Sequence, residues 1–267
     1  LKSILATLMM VLVSGNVWAE EVIVGTGTTQ RDYLPLYSCR DYSSTTECIY
    51  TPEELKGEGV ILSIAYKAYY IGNRESFPIE VYMRHRKSAT YSNANDYAPA
   101  SSLTLVYSWE MSFEVGWNTI KLTTPFAYNG SDNLEVVVCK KMASSYSYDS
   151  NYCYCTSISN KTLYRRGTDS NYGNIAYAGD FSKNSYRPNT KFEINRKTYS
   201  LDGINYIYYV NGAFVYGFNA LSGNVTLPNS IKPGDGKAYS VIGIVDGAFK
   251  NCSATSITIP STVESIG

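Results

Sequence analysis

The stretches VTLPNSI (residues 225–231) and ITIPSTV (residues 257–263) share an apolar–Thr–apolar–Pro pattern at an offset of 32 residues. A second pair of apolar positions, in 241–244 and 263–266, recurs at an offset of 22 residues. The two offsets differ by ten because residues 232–240 form an insertion rich in turn-forming residues. Self-similarity with a period near 22 residues predicts a stack of short structural repeats.

A β-hairpin is predicted immediately before this repeat. Two strand-like runs, 206–210 and 213–216, flank the dipeptide Asn211-Gly212. Asn-Gly tolerates the positive φ angles that a tight two-residue turn requires, so the sequence places the turn at Asn211-Gly212. Asp202-Gly203 marks another turn just before the hairpin.

Residues 241–267 resemble the BspA-like leucine-rich repeats of bacterial surface proteins. The matching positions are Val241, Ile244, Gly247-Ala248-Phe249, Asn251-Cys252, Ser256 to Pro260, Val263 and Ile266-Gly267. The resemblance implies that residues 196–267 are a hairpin cap followed by the first turns of a curved solenoid, with repeats continuing past residue 267. It also implies a buried, reduced Cys252 and a binding surface on the strand face, where Thr226, Ser256 and Thr258 are the candidate residues.

Residues 20–195 contain short runs of alternating apolar and polar residues. The predicted strands are 60–65, 79–83, 103–107, 119–122, 134–138 and 191–194. A short helix is predicted at Thr51, since Thr51 can cap it, Pro52 suits its first position and Glu54 completes a capping box. This pattern predicts a mainly β fold, an antiparallel β-sandwich with jelly-roll topology, with an Ig-like sandwich as the alternative.

The same segment resembles an N-terminal β-sandwich module of secreted Bacteroidota proteins. The resemblance rests on Val24 to Gly27, Cys48 to Thr51, Glu53 to Leu55, Val81 to Met83, Gly116-Trp117, Pro125 to Gly130, Asn133 to Val138 and Arg187 to Asn189. It implies a jelly-roll-like module that carries no catalytic residues and precedes repeats or other cargo.

The first nineteen residues have the features of a signal peptide. Lys2 precedes an apolar run, 4–13, and Ala19 supplies a small residue before Glu20-Glu21. We therefore expect cleavage after Ala19 and a mature chain that is secreted or held at the bacterial cell surface. No later stretch has the roughly 18 to 20 apolar residues of a transmembrane helix, so no membrane span is expected.

The composition argues against several functional classes. The 267 residues include 23 Lys and Arg, 23 Asp and Glu, and one histidine, His85. A formal net charge of zero offers no basic footprint for nucleic acid. A single histidine excludes chemistry that needs a histidine pair, so no enzymatic activity is expected. The 26 tyrosines favour half-buried strands, where a ring packs while its hydroxyl meets water.

Individual residues suggest further roles. Trp109 is a candidate for stacking on a sugar ring, whereas Trp117 opens an alternating strand and is expected in the core. His85, between two arginines, is expected at a solvated strand end. No cofactor is expected. Asp and Asn residues in the loops 93–96 and 149–151 could hold structural Ca²⁺, but no Asp-x-Asp-x-Asp array occurs there.

Five of the six cysteines fall in the first segment. Export permits disulfides, and the short separations favour Cys39 with Cys48, and Cys139 with Cys153 or Cys155. Five cysteines leave at least one of them unpaired. A zinc site is disfavoured because the second cysteine pair with zinc spacing is missing.

These observations predict a secreted or cell-surface interaction protein, adhesin-like, that binds a protein or matrix partner through a leucine-rich-repeat surface. The domain boundaries predicted are 1–19 for the signal peptide, 20–195 for the sandwich and 196–267 for the cap and first repeats. Two alternatives stay open at this point: a carbohydrate-binding module, and the non-catalytic N-terminal part of a secreted hydrolase.

Overall fold

The computed structural model describes residues 19–37, 42–72, 76–142 and 150–267. Most of the predicted signal peptide and Cys39 lie outside these ranges. Within them the chain is mainly β, with curled antiparallel sheets and one short α-helix. None of the helices in the described ranges is long and apolar enough to cross a membrane.

Eleven strands precede residue 196. They are β1 (Glu20–Val24), β2 (Thr29–Arg31), β3 (Ser43–Tyr50), β4 (Gly59–Ile71), β5 (Phe77–Arg86), β6 (Thr104–Met111), β7 (Gly116–Tyr128), β8 (Asn133–Lys140), β9 (Asn151–Gly167), β10 (Ser182–Pro188) and β11 (Thr190–Asn195). Helix α1 spans Pro52–Leu55, and two 3₁₀ turns span Ala100–Ser102 and Ser170–Gly173. The six predicted strands fall in β4 to β8 and β11, and β6 begins one residue later than predicted.

These strands form a single antiparallel sheet that curls around its core. The main order is β1-β11-β4-β9-β3-β8-β5-β6, while β7 pairs with β4, and both β2 and β10 pair with β9. Strand β9 is 17 residues long, and it pairs with β4 near its start and with β3 near its end. It therefore joins the two halves of the sheet.

The concave side of the sheet holds the main apolar core. Strand alternation turns Ile64, Tyr66 and Ala68 of β4 into this core, where they are almost fully buried. The ring of Tyr50 meets that of Phe192 edge-on at 4.8 Å, and its hydroxyl shares a 2.7 Å hydrogen bond with the Thr190 hydroxyl. A buried tyrosine hydroxyl that keeps a partner avoids an uncompensated desolvation cost.

Helix α1 begins as predicted at a capping box. The Thr51 hydroxyl accepts a hydrogen bond from the Glu54 N–H, and the Glu54 carboxylate accepts one from the Thr51 N–H. Lys56 ends the helix in the left-handed conformation, with φ of 60°. Leu55 is fully buried and joins the helix to the main core.

Eight strands follow residue 197. They are β12 (Thr198–Leu201), β13 (Ile204–Tyr209), β14 (Gly212–Phe218), β15 (Ser222–Thr226), β16 (Ser230–Ile231), β17 (Tyr239–Ile244), β18 (Ser253–Thr258) and β19 (Ser265–Ile266). One sheet has the order β12-β13-β14-β17-β16 with β19 also on β17, and β15 pairs separately with β18.

Strands β13 and β14 pair antiparallel where the hairpin was predicted, but the turn lies one residue earlier. Tyr209 faces Gly212, so the turn is Val210-Asn211. A side chain at position 212 would meet Ile242 at 2.8 Å, which means that close packing, and not a positive φ, requires glycine there. The positive-φ turn is instead Asp202-Gly203, at 50° and 78°, between β12 and β13.

The repeated segments pair in parallel at their sequence offsets. Val225 lies opposite Ile257, and Thr226 opposite Thr258, each 32 residues apart. Gly243 lies opposite Ser265 and Ile244 opposite Ile266, each 22 residues apart. Strand β14 extends the same parallel arrangement on the other side of β17.

The two sets of strands are held together by an apolar contact. The outer side of β4 and β7, through Val60 and Ala127, packs against residues of the second set. The members of this cluster, which we call the junction cluster, are Val60, Leu62, Ala127, Ile207, Tyr209, Phe214, Tyr216, Ile242 and Val245. At the junction, Arg196 donates hydrogen bonds to the carbonyl oxygens of Leu55, Gly57 and Glu58.

Candidate functional site

The strand face formed by β15 and β18 brings the three candidate residues of the repeat together. Thr226 and Thr258 lie side by side, Ser256 lies beside Asn224, and all four are exposed. Between them, Val225 and Ile257 point inward and belong to the core of the second part. The Asn224 amide oxygen accepts hydrogen bonds from Thr255 at 3.0 Å and Ser256 at 2.8 Å. We call this polar, uncharged surface the repeat face.

Trp109 lies on the edge strand β6 and is 73% exposed. It borders a shallow groove of about 370 Å³ lined by Pro78, Ile79, Glu80, Ser108, Trp109, Glu110 and Lys141. Lys141 and Glu80 form an ion pair at 2.8 Å across this groove. The ring of Trp109 is therefore free to contact a ligand, as its assignment as a stacking candidate requires.

Trp117 is not in the core, contrary to the prediction. Its position in β7 lies directly opposite Lys67 of β4, on the outer side of the sheet, and its side chain is half-buried. The ammonium groups of Lys67 and Lys191 lie 6.0 Å and 5.5 Å from its ring centre. The buried side chains near the start of β7 are those of Asn118, Ile120 and Leu122, so Trp117 lies in the opposite phase of the strand.

Four tyrosines continue this outer surface beyond Lys67. Tyr69 meets Tyr154 edge-on with ring centres 5.3 Å apart, and Tyr70 meets Tyr152 in the same way at 6.0 Å. The Lys67 ammonium lies 5.5 Å from the Tyr154 ring. A bulge at Tyr69 turns both Tyr69 and Tyr70 outward, where they are 46% and 53% exposed.

We call this surface the aromatic face; its members are Lys67, Tyr69, Tyr70, Trp117, Tyr152 and Tyr154. The sequence analysis did not identify it. Its signal was the alternation Tyr152-Cys153-Tyr154 with a buried cysteine in the middle, which directs both rings to one side. That Tyr69 and Tyr70 join these rings depends on the bulge and on pairing across the sheet.

His85 is buried, contrary to the prediction of a solvated strand end. Its side chain is only 5% exposed, stacks on Tyr128 with ring centres 5.9 Å apart and accepts a 3.1 Å hydrogen bond from the Asn129 N–H. Burial lowers the pKa of His85 to about 4, so the imidazole is neutral at pH 7. Residues of the second part pack over this strand end, which local sequence could not indicate.

A cleft of about 600 Å³ separates the two parts beside His85. Its walls come from β6 and β7 on one side and from β14, β17 and β19 on the other, and they include Thr124, Phe126, Phe214 and Ile266. The nearest acidic group is Asp246, whose carboxylate lies 3.8 Å from the His85 Nδ1. Threonine and serine hydroxyls and two carboxylates also line this cleft, from Thr104, Thr123, Thr124, Ser265, Asp246 and Glu264.

Loops cover the other side of the sheet and bury a group of charges. Glu135 is fully buried and accepts hydrogen bonds from Arg84 and Tyr91, both at 2.5 Å. Burial and the neighbouring Glu135 raise the pKa of Glu47 well above its usual value. Because loops seal this group from solvent, we assign it a structural role.

In the Ca²⁺ candidate loop 93–96, the side chains of Asn93 and Asp96 have partners within the protein. The Asp96 carboxylate forms a 2.8 Å ion pair with Arg86 and accepts hydrogen bonds from Ser92. In the other candidate loop, 149–151, residue 149 lies outside the described residues. Across the described ranges, no group of three or more His, Cys, Asp or Glu residues is arranged to hold a metal ion.

The cysteines that the structure describes, Cys48, Cys139, Cys153, Cys155 and Cys252, are free thiols. Pairing of Cys139 with Cys153 or Cys155 is therefore not found, because β3 lies between β8 and β9 in the sheet. The Cys139 thiol contacts the Thr45 hydroxyl on β3, and the Cys48 thiol contacts Thr162 on β9. Cys139 is therefore close to Cys153 and Cys155 in the sequence but not in the sheet. The partner proposed for Cys48, Cys39, lies outside the described residues.

Comparisons with known proteins give little. No family model matches the chain, and no curated protein matches it. Three chains of known structure match. One of them is the structure of the cysteine protease and lectin-like domains of Cwp84, a surface layer associated protein of Clostridium difficile, with 9% sequence identity and a TM-score of 0.36. The match covers 63% of this chain and 36% of that one, so this chain spans about a third of that structure.

Proposed function

We propose that this protein is a secreted or cell-surface interaction protein that binds an extracellular protein or matrix component through the repeat face. It has no catalytic role in this proposal. The first part is a jelly-roll-like β-sandwich that acts as a spacer. The second part, residues 196–267, is the hairpin cap and the opening turns of a leucine-rich-repeat solenoid.

The observation that carries the proposal is the parallel pairing of the repeats at their own sequence offsets. In a solenoid, equivalent residues of successive repeats pair with each other, so identical positions line up in rows. Thr226 beside Thr258 and Asn224 beside Ser256 are two such rows. Rows of exposed, uncharged hydrogen-bonding groups suit contact with the polar surface of another protein.

The test is binding to purified matrix proteins, namely fibronectin, laminin and collagen, with and without bulky charged side chains on the repeat face. We expect the protein to bind at least one of the three, and the double variant Thr226→Arg/Thr258→Arg to lose about tenfold or more in affinity. Surface plasmon resonance with the immobilised matrix protein measures this change.

Thr104→Arg is the matched control, because Thr104 is also an exposed strand threonine but lies on β6 of the first sheet. It is expected to bind as the unmodified chain does. Equal binding by the double variant, or an absence of binding to all three matrix proteins, would contradict the proposal.

A further inference from the structure

The outer side of β4 serves two surfaces. At its start, Val60 and Leu62 are covered by the junction cluster. Further along, Lys67 and Tyr69 belong to the aromatic face, which no described residue of the second part covers. The aromatic face is thus separate from the repeat face, and an inference drawn from it does not depend on the function proposed above.

The rings of the aromatic face are arranged so that they remain available for contact. In each edge-on tyrosine pair, packing uses the edge of one ring and a single face of the other. Tyr69, Tyr70 and Tyr152 all keep a third or more of their surface exposed. Tyrosine and tryptophan combine a flat apolar ring with a polar tip, which matches a pyranose ring, whose C–H face is apolar and whose rim carries hydroxyls.

The charge of the face selects among sugars. Lys67 lies between the rings of Trp117 and Tyr154, and within the described part of the chain its ammonium has no carboxylate within ion-pair distance. The neighbouring Lys191 is neutralised by Glu21 at 2.7 Å. None of the six members is acidic. The face therefore offers a single uncompensated positive charge among aromatic rings.

These features favour one class of ligand over two others. Single-stranded nucleic acid also stacks on aromatic rings, but it carries one negative charge per nucleotide and is bound by a groove lined with many cations. A neutral polysaccharide also stacks on aromatic rings, but it offers no carboxylate to the Lys67 ammonium. A sugar with one carboxylate per residue fits both the rings and the lone ammonium.

We propose that the aromatic face binds a polyuronate, an acidic polysaccharide whose pyranose rings stack on Tyr69, Tyr70 and Tyr154 while a carboxylate pairs with Lys67. The tyrosine hydroxyls are placed to exchange hydrogen bonds with the sugar hydroxyls. The interaction is expected to weaken as salt is added, since the ion pair lies at the surface.

The test is isothermal titration of the whole chain with polygalacturonate, with dextran as a neutral polysaccharide and with oligo(dT), all at the same ionic strength. We expect binding to polygalacturonate alone. Tyr69→Ala and Lys67→Gln should each weaken it about tenfold, the scale of one lost ring contact or surface cation contact in a partly dry site. In a Trp18→Phe/Trp109→Phe background, where Trp117 is the remaining tryptophan, its fluorescence should also change as the polysaccharide binds.

Leu105→Ala is the control, since it removes an exposed apolar side chain at a different edge of the sheet. It should bind polygalacturonate normally, and circular dichroism should show that every variant is folded. Equal binding of dextran, or full affinity in Lys67→Gln, would overturn the acidic specificity. Tighter binding of oligo(dT), loss of binding in Leu105→Ala, or no binding to polygalacturonate would overturn the proposal itself.

Discussion

Arginine side chains tie the irregular segments of this protein to its sheets. Arg165 donates hydrogen bonds to the carbonyl oxygens of Tyr172, Asn174, Tyr177 and Gly179, all in one loop. Arg86 does the same for the loop 88–96, and Arg196 does so at the junction of the two parts. A guanidinium suits this task because its donors fan out in one plane, which an ammonium cannot reproduce.

His85 makes folding stability depend on pH. Burial lowers its pKa to about 4, with a further contribution from Lys87, while Asp246 and Asp132 oppose the shift. Above the usual pKa of 6.5, the imidazole is neutral in both the folded and the unfolded state, so the folded state keeps its full stability. As the pH falls towards 4, the unfolded state binds a proton that the folded state does not bind, and the folded state loses stability. We expect the free energy of unfolding, measured in urea, to fall by roughly 3 kcal/mol more between pH 7 and pH 4 in the native chain than in His85→Gln.

The carboxylates titrate in both the native chain and His85→Gln. The difference in pH dependence between the two chains therefore reports the protonation of His85 alone. The same pH dependence in the native chain and in His85→Gln would mean that the imidazole is not protected from protonation in the folded state.

Among the elements, the turn between β12 and β13 depends on a glycine. Gly203 has φ of 78°, and an added side chain would also meet the Asn219 carbonyl oxygen at 3.0 Å. Gly234 has nearly the same φ of 77° but nothing within 4 Å. We expect Gly234→Ala to cost about 1 kcal/mol of stability, from the backbone conformation alone, and Gly203→Ala to cost more.

Urea denaturation of the two variants measures this difference. Because the φ angles match, the extra cost in Gly203→Ala reports the contact with Asn219. Equal losses would show that the turn relaxes to accommodate the methyl group.

Features set by neighbouring residues could be predicted from the sequence, and features set by packing across the fold could not. The capping box of Thr51 and Glu54 involves residues three apart, and the structure has it as predicted. Trp117 and His85 were placed wrongly because strand phase and coverage by the second part depend on residues far away in the chain. The turn near Gly212 was off by one residue because contact with Ile242, and not the local turn, requires the glycine.

The candidate sites also differ in whether local sequence or packing across the fold determines them. Thr226, Ser256 and Thr258 could be named because the repeat itself brings equivalent residues together. The aromatic face was missed because it draws on three strands and on a bulge in β4. The pattern of residues within any one of these strands does not predict that the side chains of the aromatic face lie together.

In the whole molecule, the junction cluster is expected to make the two parts unfold together. Its residues include Val60 and Phe214, which are almost completely buried between the parts. We expect the native chain to show one thermal transition by differential scanning calorimetry. Phe214→Ala should remove about 3 kcal/mol or more of packing at this contact and split the transition in two.

Val81→Ala serves as the comparison, because Val81 is fully buried in the main core, away from the junction. It should lower the transition temperature while leaving a single transition. Two transitions in the native chain would show instead that the parts are independent, and proteolysis near Arg196 would then release them.

The parallel pairing of residues 22 positions apart also bears on how such a chain can change over evolution. If a whole repeat is duplicated or deleted by recombination, every remaining residue keeps an equivalent partner at the same spacing. The insertion at 232–240 shows that one loop already differs in length while the flanking strands stay in register. Repeat number can therefore vary between lineages, lengthening or shortening the reach of the protein, without redesign of the sheet that precedes it.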